Sequence, residues 1–174
     1  MIYDIKEKLV IRSMEDQDVQ AITEAEIEQG WNASVTKYQK RLADQRAGRA
    51  VCLVAEYDGR PVGYINVYPT GSEGPLVGKN YPEIVDFGVL EKNRGQGIGT
   101  ALMDAAEKIA ATYADTVYLG VGLHSGYGAA QRMYIKRGYI PDGSGVWYRD
   151  QICEPYGKCA NDDDLVLYLV KKLG

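Results

Sequence analysis

Apolar residues recur along this chain with two periods, and these predict where its helices and strands lie. A period near 3.6 residues indicates a helix with one buried face, whereas strict alternation indicates a strand with one buried face. Glycine and proline interrupt both patterns where the chain turns. In the first half, the pattern predicts a strand at 8–13, helices at 16–29 and from Val35 to Gly48, and a hairpin of two strands, 50–56 and 62–68, around Asp58-Gly59.

The second half opens with a glycine- and proline-rich segment, 69–82, that lacks periodicity. It predicts a long loop bordering the functional site, since such loops are often functional. Beyond it, two strands joined through a helix favour a right-handed parallel crossover. The predicted elements of this half are a strand from Glu83, a helix from about Ile98, a strand at 117–123, a helix at 126–137, and strands at 145–149 and 164–171.

Together these elements predict an α+β fold. We expect a mixed, mostly antiparallel sheet of about six or seven strands, about four helices and one parallel β-α-β crossover. The length of 174 residues, without any shift in composition, predicts a single domain, 1–174. The run Leu165–Val170 is apolar on both faces, so we expect a central strand there rather than an edge.

Charge and composition exclude several classes of function. A net charge of -4 and a pI near 5.1 disfavour nucleic acid as a partner, because nucleic-acid-binding proteins usually carry clustered lysine and arginine. The N-terminus has no apolar signal region, and the longest apolar run is far shorter than a membrane span. We therefore expect neither secretion nor membrane insertion.

Cysteine and histidine content bears on the compartment and on metals. Three cysteines, Cys52, Cys153 and Cys159, are too few and odd in number for a disulfide framework. One histidine, His124, leaves no ligand set for structural zinc, and no metal is expected. The sequence therefore predicts a reducing, cytoplasmic compartment, with Cys153 and Cys159 as plain thiols in a loop.

The stretch Glu83–Thr100 carries the clearest chemistry. An apolar strand leads into a turn with Gly95, Gly97 and Gly99, and a helix follows, so backbone N–H groups without intrahelical partners can bind an anion such as phosphate. A Walker A loop is excluded because Gly99, not lysine, precedes Thr100. A dinucleotide fingerprint is weak, because the glycines follow G-x-G-x-G rather than G-x-G-x-x-G.

A third interpretation is R-x-x-G-x-G, matched by Arg94, Gly97 and Gly99. In this motif the sequence resembles the GNAT superfamily of acetyl-CoA-dependent N-acetyltransferases. A second segment, Ala129–Tyr139, is similar to that family's A-A-x-x-x-Y-x-x-x-G-F/Y run. With the order of elements, the resemblance spans nearly the whole chain. It implies a GNAT-like domain with the parallel crossover at the cofactor site, and acetyl-CoA as co-substrate.

The resemblance also implies which residues bind the cofactor. The glycine turn would bring backbone N–H groups close to the pyrophosphate, and Arg94 would add a positive charge with a planar set of donors. Strand residues would bind the pantetheine arm through their backbone. The implied cofactor-binding residues are Val89, Leu90, Arg94, Gly95, Gln96, Gly97, Ile98, Gly99, Thr100, Tyr127 and Ala130.

Acetyl transfer to an amine needs a proton acceptor for the ammonium and a proton donor for the leaving thiolate. Tyr134 matches the family position of the donor, although a packed helix tyrosine is the alternative. For the acceptor we prefer Glu83 to Asp86; being three residues apart, they should face opposite sides of a regular strand. Both can instead be structural.

Where relatives often have V-N-P-x-N-x-A-A, this chain has His124 and Tyr127 in place of the asparagines. His124 is either a proton relay or, by preference, a hydrogen-bonded structural residue. The acidic run 161–164 is either a solvated turn or a rim that attracts a cationic amine.

We therefore expect a cytoplasmic N-acetyltransferase that moves acetyl to a primary amine of a small molecule by direct attack in a ternary complex. Trp31, at the corner of the helical pair, is the candidate substrate-binding residue. The alternatives are a protein or peptide N-acetyltransferase, a non-catalytic acyl-CoA-binding sensor, and a bare interaction module. The sequence leaves a homodimer open.

Overall fold

A computed structural model describes all 174 residues, Met1–Gly174. The chain contains nine strands and four helices and divides into two compact units. The first unit comprises Met1–Tyr68 and Ile84–Ile109, and the second comprises Pro69–Glu83 and Ala110–Gly174. No helix is both long enough and apolar enough to cross a membrane.

The elements of the first unit are β1 (Ile2–Lys6), β2 (Leu9–Ser13), α1 (Asp16–Glu28), α2 (Val35–Arg46), β3 (Val51–Tyr57), β4 (Arg60–Tyr68), β5 (Glu83–Val89) and α3 (Ile98–Ala110). The strands lie in the order β1-β2-β3-β4-β5, with antiparallel pairing from β1 to β4. Apolar side chains of α1 and α2, including Val19, Ile22 and Tyr38, pack against β3 and β4 in one buried cluster.

The elements of the second unit are β6 (Thr116–Gly122), α4 (Gly128–Lys136), β7 (Ile140–Tyr148), β8 (Gln151–Ile152) and β9 (Leu165–Lys172). A short 3₁₀ turn, Ser125–Tyr127, precedes α4. The strands lie in the order β6-β9-β7-β8, all antiparallel. The position of β9 between β6 and β7 confirms that the apolar run Leu165–Val170 forms a central strand.

The α+β class and the four helices are confirmed, and the succession β5, α3, β6 is the predicted strand-helix-strand order. The strand count is nine rather than six or seven. Strand β1 was not predicted, because it has no buried apolar face that would give a clear alternating pattern. Its residues Ile2 and Ile5 are each 60% exposed. Strand β8 has only two residues, too few for any pattern.

Cys153 and Cys159 form a disulfide bond, with their Cα atoms 6.7 Å apart. The expectation of plain thiols is therefore wrong. Counting cysteines tests for a framework of several bridges, but a single local bridge needs only two residues brought together by a turn. The third cysteine, Cys52, is buried and free, and burial raises the pKa of its thiol to about 12.

Candidate functional site

The glycine turn joins β5 to α3 in the first unit. After a 3₁₀ turn at Glu91–Asn93, the backbone adopts positive φ at Gly95 (75°) and Gly97 (78°), and α3 begins at Ile98. Positive φ is disfavoured for residues with a Cβ, which explains the glycine at both positions. The second of these two left-handed residues directly precedes Ile98, so the glycine turn leads straight into the first turn of α3.

The N-terminus of α3 provides the N–H donors that an anion site needs. The first turn-to-helix bond runs from the N–H of Ala101 to the carbonyl of Gly97, at 3.0 Å. The N–H groups of residues 98–100 therefore precede the intrahelical ladder. Gln96, Gly97 and Thr100 also line a groove of about 730 Å³. Buried Ile98, Leu102 and Ala105 hold the helix to the unit's core, as the helical periodicity predicted.

Arg94 is exposed at the entrance to this turn, and it contacts Trp31. Its Nε donates to the carbonyl of Val89 at 3.3 Å, and its guanidinium lies 5.5 Å from the Trp31 ring centroid. The indole N–H of Trp31 donates to Glu91 at 3.2 Å. The structure thus brings Trp31, the candidate substrate-binding residue, beside Arg94, a candidate cofactor-binding residue.

Asp86 lies on β5 but departs from strand geometry, with φ of 51°. Glu83 and Asp86 would face opposite sides of a regular strand, but the positive φ of Asp86 breaks the regular geometry on which that expectation depends. The Oδ2 atom of Asp86 accepts from Arg41 Nε at 2.8 Å and from Nη2 at 2.5 Å. Arg41 also donates to Tyr68, which in turn donates to Asp44, at 2.6 and 2.7 Å. Asp86 therefore belongs to an ion-paired network with α2.

Glu83 belongs to the second unit and is 6% exposed. It accepts hydrogen bonds from the backbone N–H of Ser72 and from the Tyr118 hydroxyl, each at 3.2 Å. Burial, followed by the charge of Glu83, raises the pKa of Tyr118. Glycine at position 71 is required, because an added Cβ would lie 1.8 Å from the Tyr118 hydroxyl. Glu83 thereby helps to hold the long loop 69–82 in position.

Tyr134 on α4 is 6% exposed and lies against Tyr139, with ring centroids 5.8 Å apart. Burial, and secondarily the charge of Tyr127, raises the pKa of Tyr134. A phenol is protonated at neutral pH even without this shift, and protonated is the state that a proton donor needs. Ala130, one turn earlier on the same helix, is half-buried.

His124, Tyr127 and Asp163 form a hydrogen-bonded group in the second unit. His124 Nδ1 accepts from the N–H of Gly126 at 3.1 Å, so Nε2 is the nitrogen that donates to Asp163, at 2.8 Å. The Tyr127 hydroxyl donates to the same carboxylate at 3.0 Å, and these bonds lower the pKa of Asp163. This geometry favours the structural interpretation of His124. Carboxylates of the acidic run have partners within the chain, since Asp164 also forms an ion pair with Arg149.

The predicted residues thus fall into two groups. The first unit brings together Trp31, Arg94, the glycine turn, and the strand that carries Val89 and Asp86. The second unit contains Glu83, Tyr127, Ala130 and Tyr134. No cluster of three or more histidine, cysteine or acidic side chains could hold a metal ion.

A buried group that the sequence analysis did not identify lies in the first unit. Glu26 on α1 is 2% exposed, and its carboxylate accepts hydrogen bonds from Tyr38 and, at 2.6 Å, from Tyr64. The Tyr64 hydroxyl lies against Gly88 of β5, where an added Cβ would be 2.8 Å away. A signal was present: Glu26 follows Val19 and Ile22 on the buried stripe of α1, and a carboxylate on such a stripe needs partners.

Comparison with known proteins identifies a matching family. A model described as the acetyltransferase (GNAT) family matches residues 16–139, which is more than half of the chain and includes both the glycine turn and the Tyr134 segment. No curated protein matches the chain by sequence.

Solved structures share the fold at low sequence identity. An acetyltransferase from Salmonella typhimurium that modifies the N-terminal serine of ribosomal protein L7/L12 is 14% identical, with a TM-score of 0.71 and 100% of both chains covered. The structure of yncA from Salmonella typhimurium with its cofactor acetyl-CoA is 18% identical, with a TM-score of 0.66 and 96% of this chain and 95% of that chain covered. Ard1 from Thermoplasma volcanium is 19% identical, with a TM-score of 0.68 and coverages of 95% and 98%. At these identities the likeness establishes the fold alone.

Proposed function

Since this chain belongs to the acetyltransferase (GNAT) family and is an acetyl-CoA-dependent acyltransferase, we propose that it acetylates a primary amine of a small molecule by direct attack in a ternary complex. No covalent enzyme intermediate is needed, because neither motif contains a cysteine. The reaction forms an amide bond, breaks the thioester C–S bond and releases CoA.

The observation that carries this proposal is the glycine turn with Arg94 at its entrance. The N-terminus of α3 supplies backbone donors and the positive end of a helix dipole, both of which favour a pyrophosphate. Arg94 adds a permanent charge. In this proposal residues 95–100 bind the pyrophosphate, and Val89 and Leu90 bind the pantetheine arm through backbone groups. Tyr127 and Ala130 complete the proposed cofactor-binding set.

Tyr134 is the proposed proton donor to the CoA thiolate, because it stands at the family position of the donor and a phenol is protonated at neutral pH. Glu83 is the proposed acceptor for the proton of the attacking ammonium, directly or through water. Asp86 is the second candidate, weaker because Oδ2 already accepts two bonds from Arg41. The nitrogen loses its second proton as the amide forms, and this proton replaces the one that Tyr134 gives to the CoA thiolate, so the only proton left over is the one on Glu83.

Trp31 is the proposed contact for the acceptor, and a cytoplasmic small amine is the proposed substrate. A protein N-terminus is the second candidate, because the Salmonella typhimurium enzyme of similar fold modifies the N-terminal serine of L7/L12. A non-catalytic acyl-CoA sensor is the alternative from another class, and the test below separates it from both enzymes.

The test is release of free CoA from acetyl-CoA with a panel of small amines and of peptides with free N-termini. We expect turnover with small primary amines, and calorimetry with CoA should show binding at one site per chain. CoA binding without turnover on any acceptor would favour the sensor. Absence of CoA binding would refute the proposal as a whole.

A further inference from the structure

We propose that Lys37 is a self-acetylation site: the protein transfers acetyl from acetyl-CoA to the Nζ atom of its own Lys37. This inference rests on the proposed function, because it uses the same donor. It concerns an internal lysine in the first unit, and it can be tested separately from turnover on any external amine.

Lys37 lies in the first turn of α2, where two aromatic rings hold its ammonium group. Its Nζ atom is 4.9 Å from the ring centroid of Tyr38 and 5.3 Å from that of Tyr64. The two rings meet edge to face, with centroids 5.2 Å apart and an interplanar angle of 75°. Cation–π attraction to two rings favours one position for a side chain that would otherwise move freely in solvent. Lys37 is half-buried as a result.

The rings are themselves anchored to a buried charge. Both hydroxyls donate to the Glu26 carboxylate, which is 2% exposed. The hydrogen bonds to the carboxylate fix the ring orientation, and a negative charge beneath the rings favours a cation over them. The pair of tyrosines over Glu26 is therefore a built recognition site for an alkyl ammonium, and Lys37 occupies it.

This site adjoins the strand that is proposed to hold the thioester. The Tyr64 hydroxyl lies so close to Gly88 that an added Cβ would be 2.8 Å from it. Gly88 directly precedes Val89, the first of the residues proposed to bind the pantetheine arm. Tyr64 therefore contacts both the Lys37 ammonium, through its ring, and this part of β5, through its hydroxyl. A lysine side chain can change rotamer, so Nζ can leave the rings and approach the strand.

The same helix offers a matched comparison. Lys40 lies about one turn further along α2 and is exposed, and its charge acts on Asp44. Lys37 and Lys40 thus have the same chemistry and the same helix, but only Lys37 occupies the tyrosine site beside Gly88.

The chemical step is balanced with acetyl-CoA alone. The ammonium first loses a proton to water, and the neutral Nζ attacks the thioester carbonyl carbon, forming a C–N bond as the C–S bond breaks. The nitrogen then loses a second proton and the CoA thiolate gains one. The product is an amide, which is neutral, so acetylation removes the cation from the tyrosine site.

The experiment is incubation of the purified full chain with acetyl-CoA carrying a deuterated acetyl group, followed by intact mass and peptide mapping. The fraction of Lys37 that is unmodified at the start serves as the reference. We expect one labelled acetyl group per initially unmodified chain, located at Lys37, at a first-order rate that does not depend on protein concentration. Lys37→Arg should abolish the labelling, and Lys40→Arg should leave it unchanged.

Several results would overturn the inference: no label at Lys37 while calorimetry detects CoA binding, equal labelling of Lys40 and other exposed lysines, or a rate that rises with protein concentration. Labelling of the chain and turnover on external amines are separate measurements, so they distinguish this inference from the proposed function. Turnover on external amines without labelling of the unsubstituted chain would refute the self-acetylation alone. Labelling of Lys37 without turnover on any external amine would support self-acetylation and refute the proposed small-amine substrate.

Discussion

The guanidinium of Arg94 lies 5.5 Å from the centroid of the Trp31 ring. The contact joins the corner between α1 and α2 to the start of the glycine turn. If Arg94 binds pyrophosphate and Trp31 contacts the amine substrate, a substitution at either residue should change the binding of both CoA and the amine.

We expect Arg94→Ala to weaken CoA binding about tenfold or more, because a hydrogen bond to a charged group contributes about 1.5–3 kcal/mol. Trp31→Ala should weaken CoA binding only a few-fold, since an exposed cation–π contact contributes about 0.5–1 kcal/mol, and should raise KM for the amine. Calorimetry and steady-state kinetics measure the two effects. Lys92→Ala, which removes a neighbouring exposed cation, is the control. Equal losses at positions 92 and 94 would contradict a specific role for Arg94.

Tyr134→Phe should lower kcat on the order of a hundredfold, the usual effect of losing a general acid, with CoA affinity nearly unchanged. Tyr113→Phe, at an exposed tyrosine, should behave like the unsubstituted protein. A donor works in its protonated form, and the pKa of Tyr134 is raised, so this residue should cause no fall in rate up to about pH 10. A normal kcat for Tyr134→Phe would assign the proton to another donor.

Glu83→Gln should reduce kcat on the order of a hundredfold if Glu83 accepts the ammonium proton. Asp86→Asn should act mainly on stability, lowering the free energy of unfolding by about 1–3 kcal/mol, because Arg41 loses its ionised partner. Kinetics and urea unfolding on the two variants separate these effects. A folded Asp86→Asn variant without turnover, beside an active Glu83→Gln, would transfer the role to Asp86.

Alkaline pH should destabilise the protein through its buried tyrosines. Burial is the first cause that raises the pKa values of Tyr38, Tyr64 and Tyr118. In the unfolded chain these phenols ionise near about pH 10, whereas the folded protein keeps their protons. The unfolded state therefore binds fewer protons, so this contribution is fully present below about pH 10 and is lost as the pH rises further. Urea unfolding followed across this range should show the decline. Exposed tyrosines such as Tyr113 and Tyr156 should ionise first, and a further rise in phenolate absorbance should accompany unfolding. Constant stability would contradict the assignment.

Reduction should open the Cys153–Cys159 bridge and make both thiols available for alkylation. The bridge closes a short loop, six residues in sequence separation, so its loss should cost at most about 2 kcal/mol. Intact mass after alkylation, with and without reductant, measures the bridge, and thermal unfolding measures its contribution. Cys153→Ser should reproduce the reduced protein. Alkylation of two cysteines without reductant would show open thiols, as a reducing cytoplasm would favour.

Much of this fold could be predicted because local signals and tertiary structure agree. Positive φ at Gly95 and Gly97 is a property of the turn itself, and the apolar stripe from Ile98 to Ala105 is buried as its spacing requires. Central strand β9 was recognisable because both of its faces are apolar. In each case the residue type responds directly to the environment that it occupies.

Other features depend on partners distant in sequence. The positive φ at Asp86 could not be predicted, because the residue is not a glycine. Its side chain is held by Arg41, 45 positions earlier. The position of Glu26 on the buried stripe of α1 signals that it needs partners, but not which ones, because Tyr38 and Tyr64 come from a second helix and a strand. Nor does the count of cysteines reveal a pair joined across one turn. Such residues acquire their roles only once the chain has folded.

The central place of β9 has a consequence for biosynthesis. Strands β6 and β7 each pair with β9, although β9 follows them both in the chain. Until residues 165–172 have entered the sheet, strands β6 and β7 expose edges that have no shared neighbour. The first unit can collapse early, whereas completion of the second must wait for its last strand, which makes that interval the time when a nascent chain is most open to aggregation.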